Sequence, residues 1–138
     1  MPGTFTPMFA HYVWSTWQRE PRIDAEWETR LYGCIAAKCK ELGSLWVIVG
    51  GMPDHLHVLL RLPPMVGYAL VAKEIKGSSS YLVNHELARG TGFRWQGGYF
   101  ARTVDPDNLD PVREYVRNQK QHHAMGNTVA EWERLAGE

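Results

Sequence analysis

Two periodicities run along the chain, one of about two residues and one of about 3.6, and they divide it into alternating strands and helices. Residues 9–17 are rich in β-branched and aromatic side chains, the content of a first strand. Residues 23–42 read as a helix, with Trp27, Leu31, Cys34 and Ile35, then Lys38 and Cys39 near helical spacing, and Gly43 as its stop. Residues 45–49 form a short apolar run of the kind expected in a buried strand. A turn, Gly50-Gly51-Met52-Pro53-Asp54, leads into a returning strand at residues 55–62, so these two runs are expected to pair antiparallel. Pro63-Pro64 ends the pair. Residues 66–87 predict a second long helix, whose stripe is Val71, Ile75, Ser78 and Leu82 with Lys73 and Lys76 turned elsewhere. A glycine-rich loop over 89–98 precedes a short strand at 99–104. Asp105-Pro106-Asp107-Asn108 then offers N-caps for a third helix running to about Met125.

This order of elements predicts an α+β fold, an antiparallel sheet flanked by helices. At 138 residues the chain suits a single domain, residues 1–138, with no repeat, linker or low-complexity segment. Its 44% hydrophobic and 22% charged content is that of an ordinary globular protein. No apolar run approaches the roughly 18 residues of a membrane span, and no signal arrangement opens the chain, so a cytoplasmic protein is expected.

Charge alters the picture only locally. The formal net charge is zero, which gives nucleic-acid binding no support from the whole-molecule field. Residues 61–120, however, carry nine Lys/Arg against six Asp/Glu, a modest basic surplus. Within it, Lys73, Lys76, Arg94, Arg102 and Arg117 are candidates for phosphate contact, and Trp95 for stacking on a base. Cys34 and Cys39 match no metal-binding or redox spacing and read as reduced thiols.

Candidate chemistry concentrates in two places. On a strand, alternate side chains share a face, so His55 and His57 point one way while Leu56 and Val58 enter the other layer. On the last helix, Leu109, Val112 and Val116 make the core-facing stripe; Gln119 falls within it and Tyr115 on its edge, half toward solvent. A polar amide in that stripe needs a partner, since an unsatisfied buried polar group costs about 1–3 kcal/mol. Two imidazoles, an amide oxygen and a phenol converging on one point would suit a metal and a nucleophile for phosphodiester cleavage. Core histidines and a backbone-bonded glutamine account for the same residues without chemistry. Asp54 reads either as a turn residue or as a partner for an imidazole. His122 and His123 read as exposed histidines at a helix C-terminus or as extra ligands.

The run Gly51-Met52-Pro53-Asp54-His55-Leu56-His57-Val58-Leu59 resembles the His-hydrophobe-His (HUH) signature of the small single-tyrosine transposases of bacterial insertion sequences, the IS200-like group. Tyr115-Val116-Arg117-Asn118-Gln119, extended by Lys120-Gln121-His122-His123, is similar to their nucleophile helix. Tyr12-Val13-Trp14-Ser15-Thr16, Lys76-Gly77-Ser78-Ser79-Ser80 and Trp95-Gln96-Gly97-Gly98-Tyr99 extend the likeness in the expected order, over about residues 9–123.

The resemblance implies a ferredoxin/RRM-like HUH endonuclease fold and an obligate homodimer. It implies Mg²⁺ or Mn²⁺ held by His55, His57 and Gln119, with Tyr115 as the nucleophile. The implied substrates are hairpin-bearing, single-stranded DNA ends of a mobile element, cut and rejoined through a 5′-phosphotyrosine. A histidine-triad hydrolase is set aside, because its third histidine position is Leu59 here. The remaining alternatives are a domesticated, non-transposing hairpin DNA-binding protein and a related HUH nickase.

Overall fold

The computed structural model describes residues 6–135 and shows a four-stranded antiparallel sheet with helices on both faces. In chain order the main elements are β1 (Phe9–Ser15), α1 (Glu28–Glu41), β2 (Val47–Met52), β3 (His55–Arg61), α2 (Tyr68–Leu82), β4 (Phe100–Val104), α3 (Leu109–Arg117) and α4 (Gln119–Met125). The strands lie in the order β2-β3-β1-β4. Two split β-α-β units with this order give the ferredoxin-like arrangement that the sequence predicts. Among the described residues no helix is long and apolar enough to cross a membrane.

Strand alternation sorts the two faces. Ala10, Tyr12 and Trp14 of β1 join Leu56, Val58 and Leu60 of β3 in one buried cluster with Leu31, Ile35 and Cys39 of α1 and Val71, Ala72 and Ile75 of α2. Each such aliphatic side chain, fully removed from water, contributes about 1.5–3 kcal/mol. The opposite face holds a smaller cluster, Leu59, Val104, Val112 and Val116, edged by Phe9, Trp46, Ile48, Leu109 and Trp132. Here α3 lies very close to β2: a Cβ on Gly50 would overlap the Val116 carbonyl oxygen. Only glycine permits that approach, and it brings the helix of Tyr115 down onto the strands that carry the histidines.

The second strand runs on through Gly50, Gly51 and Met52, which the sequence reading gives to the turn, because they pair with His57, Leu56 and His55. Three helix boundaries also differ, each for a local reason. The first helix starts at Glu28 rather than near residue 23, because Ile23 is tied to the hairpin turn by its N–H on the Pro53 carbonyl, 2.9 Å. The second helix gives way to a π turn at Val83–Leu87. There Asn84 donates to the carbonyls of Ser80 and Phe93 and accepts from the Phe93 N–H, locking the following loop to the helix. The last helix breaks at Asn118 (φ −109°, ψ 36°) into α3 and α4.

The glycine-rich loop is pinned rather than loose. Lys76 Nζ donates to the carbonyls of Gln96 and Gly98 at 2.8 and 2.7 Å, and Trp95 Nε1 donates to Ser79 Oγ at 2.9 Å. Beyond α4, Gly126 takes a left-handed conformation (φ 68°), the usual helix stop, and the chain turns back along α3.

Candidate active site

His55 and His57 sit on the face of β3 that α3 covers, both buried, opposite Ser15 and Val13 of β1. Their Nδ1 atoms are each held by a neighbour. His55 Nδ1 lies 2.8 Å from Asp54 Oδ1, whose second oxygen takes the Arg19 guanidinium at 3.1 Å. His57 Nδ1 lies 2.8 Å from His11 Nε2 on β1. With Nδ1 fixed, both rings turn Nε2 toward the same space.

That space is filled by a carboxylate that no spacing in the sequence singles out. Glu133 Oε1 stands 3.0 Å from His55 Nε2, 3.3 Å from His57 Nε2 and 3.4 Å from His123 Nε2. The other oxygen accepts the Tyr115 hydroxyl, which in turn accepts the Val129 N–H at 3.0 Å. Trp132 closes edge-on over the phenol, ring centroids 5.0 Å apart, and His122 tilts against it at 4.7 Å. Tyr115 is therefore 2% exposed rather than half-solvated. Helical periodicity places it on the edge of its own helix and gives no sign of the returning segment.

Gln119 is buried, as the stripe predicts. Its amide nitrogen faces the Tyr115 carbonyl at 3.4 Å and its oxygen takes His123 Nε2 at 3.1 Å. The break at Asn118 keeps Gln119 beside the site, one hydrogen bond out from Glu133 through His123. The His123 ring also packs on His55, centroids 5.2 Å apart. The two histidines at the helix end are thus part of the cluster.

The half-buried carboxylate of Glu133 sets the electrostatics of the cluster. Burial disfavours a charged His55, but the carboxylates on its two sides outweigh this and raise its pKa to about 9. His57 and His11 are driven the other way, chiefly by burial. Glu133 resists its own burial and is held far below the usual carboxylate range by His55, His57 and Tyr115. Burial, then the bond to Glu133, pushes the Tyr115 phenol up to about 12.

The donor set fits a divalent metal. With His55 Nδ1 donating to Asp54, a neutral His55 turns a bare Nε2 lone pair toward the Glu133 oxygen. That nitrogen is buried and makes no well-aligned hydrogen bond, so the pair needs a proton or a cation between them. His55, His57 and Glu133 offer ligand atoms all within 4.8 Å of one another. A ligating imidazole usually has its other nitrogen held by a carboxylate, backbone carbonyl or water, as Asp54 holds His55, and a carboxylate ligand suits Mg²⁺ or Mn²⁺.

The basic candidates are scattered over α2, the loop before β4, β4 itself and the end of α3. Lys76 is committed to loop carbonyls. Arg94 is exposed and stacks its guanidinium 4.1 Å above the Trp17 ring. Lys73 and Arg117 are exposed, and Arg102 is half-buried opposite His11. Trp95 is 8% exposed and packs between Trp14 and Phe93, so its ring face is taken by protein.

Comparisons with known proteins agree with this architecture. A family model described as IS200-like transposase matches residues 4–119. The transposase of insertion sequence element IS200 from Salmonella typhimurium is 28% identical over 127 residues, covering 87% of this chain and 82% of that protein, and its Salmonella typhi counterpart aligns equally well. Among solved structures, a candidate transposase from Deinococcus radiodurans R1 superposes with a TM-score of 0.67 at 23% identity, covering 86% of this chain and 95% of that one. A REP-associated tyrosine transposase bound to a REP hairpin superposes with a TM-score of 0.65 at 12% identity, covering 99% and 81%. With the family model spanning most of its length, this chain belongs to the IS200-like transposase family.

Proposed function

We propose that this protein cuts and rejoins single-stranded DNA at hairpin-bearing ends of a mobile element, with Tyr115 as nucleophile and Mg²⁺ or Mn²⁺ as cofactor. The observation that carries the reading is the convergence of the Tyr115 hydroxyl and the Nε2 atoms of His55 and His57 on the single carboxylate of Glu133. A hairpin substrate is supported by the REP hairpin bound to the related transposase fold.

His55, His57 and Glu133 would hold the ion, with the Gln119 oxygen as the further donor beside them. A divalent cation there would polarise the scissile phosphate and take up the Glu133 charge that holds the Tyr115 phenol high. Tyr115 Oη forms the new bond to phosphorus as the bond to the 3′ oxygen breaks. The phenol gives up its proton to solvent as the bond to phosphorus forms, and the departing oxygen gains one, so that it leaves as a 3′-OH. The 5′-phosphotyrosine preserves the phosphodiester's bond energy, so rejoining needs no nucleotide triphosphate. Asp54 and His11 hold the two imidazoles in orientation. Trp132 and Val129 exclude water from the phenol until DNA is seated.

The basic residues Arg94, Lys73, Arg102 and Arg117 are assigned to the DNA backbone, and a homodimer and a cytoplasmic location are part of the same reading. The test is incubation with labelled single-stranded hairpin oligonucleotides from the gene's own flanks, with Mn²⁺ or EDTA, resolved on a denaturing gel. A metal-dependent covalent protein–DNA band supports the reading. Hairpin binding without any such band overturns it in favour of a non-cleaving hairpin-binding protein.

A further inference from the structure

His11 is the one buried histidine for which neither the family likeness nor the chemistry above supplies a ligand's role. It is fully buried on β1. Its Nε2 lies 2.8 Å from His57 Nδ1, and the two rings stack with centroids 5.1 Å apart. Its own Nδ1 is buried and makes no hydrogen bond. An imidazolium at that place would leave a charged N–H without a partner, so the ring is neutral and carries one proton.

One proton on each of two facing rings allows only two matched arrangements. In the first, His11 Nε2–H donates to His57 Nδ1, and His57 Nε2–H points at Glu133 Oε1, 3.3 Å away. Both protons then find acceptors, and the unpaired atom is the His11 Nδ1 lone pair. In the second, His57 Nδ1–H donates to His11 Nε2, His57 Nε2 is bare, and the His11 proton sits on its unpartnered Nδ1. Only the second leaves His57 Nε2 able to hold a cation.

We infer that His11 is a positioning residue for His57, and that the two rings change tautomer together when a divalent cation is bound. Each ring carries one proton before and after. The His11 Nε2 proton crosses the 2.8 Å contact to His57 Nδ1. The His57 Nε2 proton is given up by way of Glu133 to solvent, and one from solvent takes its place on His11 Nδ1, so the charge of the pair is unchanged. This rests on the metal reading of His55, His57 and Glu133.

Manganese affinity is measured by calorimetry on the whole chain as purified in metal-free buffer, for the native protein, His11→Phe and His11→Gln. Phenylalanine keeps the ring volume but removes the acceptor; the glutamine oxygen restores one. Loss of outer support for a ligating histidine lowers metal affinity about 10–100-fold. That loss is expected in His11→Phe, with recovery toward native in His11→Gln. Equal Mn²⁺ affinity in the native protein and His11→Phe overturns the inference while leaving the metal site standing. No Mn²⁺ binding by the native protein overturns the metal reading and the inference with it. Should His11→Phe fail to fold, ¹⁵N spectra of histidine-labelled native protein decide the matter during Mg²⁺ titration. Movement of the proton onto Nδ1 in both His11 and His57 supports the coupled change, and a His11 that keeps its Nε2 proton with Mg²⁺ bound contradicts it.

Discussion

Tyr115 donates its hydroxyl to Glu133, eighteen residues further along the chain, and the same carboxylate faces both His55 and His57. The proposed nucleophile and the proposed metal ligands are thereby coupled through one side chain, and the electrostatic state of one is felt by the other.

The coupling has a pH signature in the metal-stripped protein. His55, raised to about 9, contributes stability that is complete below its unfolded value near 6.5 and is lost as pH climbs through about 9. Glu133, depressed, contributes stability present above about 4.5 and lost on acidification. Neutral, buried His11 and His57 add stability that is present above about pH 6.5 and lost below it, so the melting temperature in EDTA should be highest near pH 7 and fall by about 5 °C or more by pH 9. Glu133→Gln should flatten that alkaline decline. A flat native profile over the same window would contradict the pairing.

Asp54 supports His55 from the side away from the proposed ion, and Arg19 braces Asp54. Asp54→Asn should lower Mn²⁺ affinity about 10–100-fold while leaving the circular dichroism spectrum unchanged. Calorimetric titration reads this directly, and an unchanged affinity would return Asp54 to the role of a turn residue.

Two glycines should respond oppositely to alanine. Gly50→Ala drives a methyl into the Val116 carbonyl and should cost about 3 kcal/mol or more, as α3 is forced off β2. Gly77 lies in the interior of α2 with open space where a methyl would stand, so Gly77→Ala should stabilise by about 0.5–1 kcal/mol. Urea denaturation of both variants measures the two signs.

Trp95 and its neighbour Arg94 should separate stability from DNA affinity. Trp95 is buried and bonded to Ser79, so Trp95→Ala should destabilise by about 3–5 kcal/mol. Arg94 is exposed on Trp17, so Arg94→Ala should keep the fold and weaken binding to a single-stranded hairpin oligonucleotide. Melting curves and fluorescence anisotropy, run side by side, distinguish the two roles.

What can be read in the sequence follows from how local each signal is. Strand alternation alone puts His55 and His57 on the face opposite Leu56 and Val58, and helical spacing alone buries Gln119. The returning C-terminal segment has no such period. Val129, Trp132 and Glu133 reach Tyr115 only because Gly126 reverses the chain, and nothing in their spacing marks a glutamate aimed inward. His11 is equally silent, because its partner His57 lies 46 residues away across the β1–β3 pairing. Asp54 and His123 are visible as alternatives, and their contacts choose between them.

The point at which DNA becomes attached to the protein decides whether Tyr115 is the nucleophile. After reaction with a hairpin oligonucleotide and Mn²⁺, nuclease trimming and proteolysis, mass spectrometry of the adduct should find one modified peptide, with the nucleotide joined through its 5′ phosphate to Tyr115. A nucleotide on any other residue, or cleaved DNA with no peptide attached, would contradict that role.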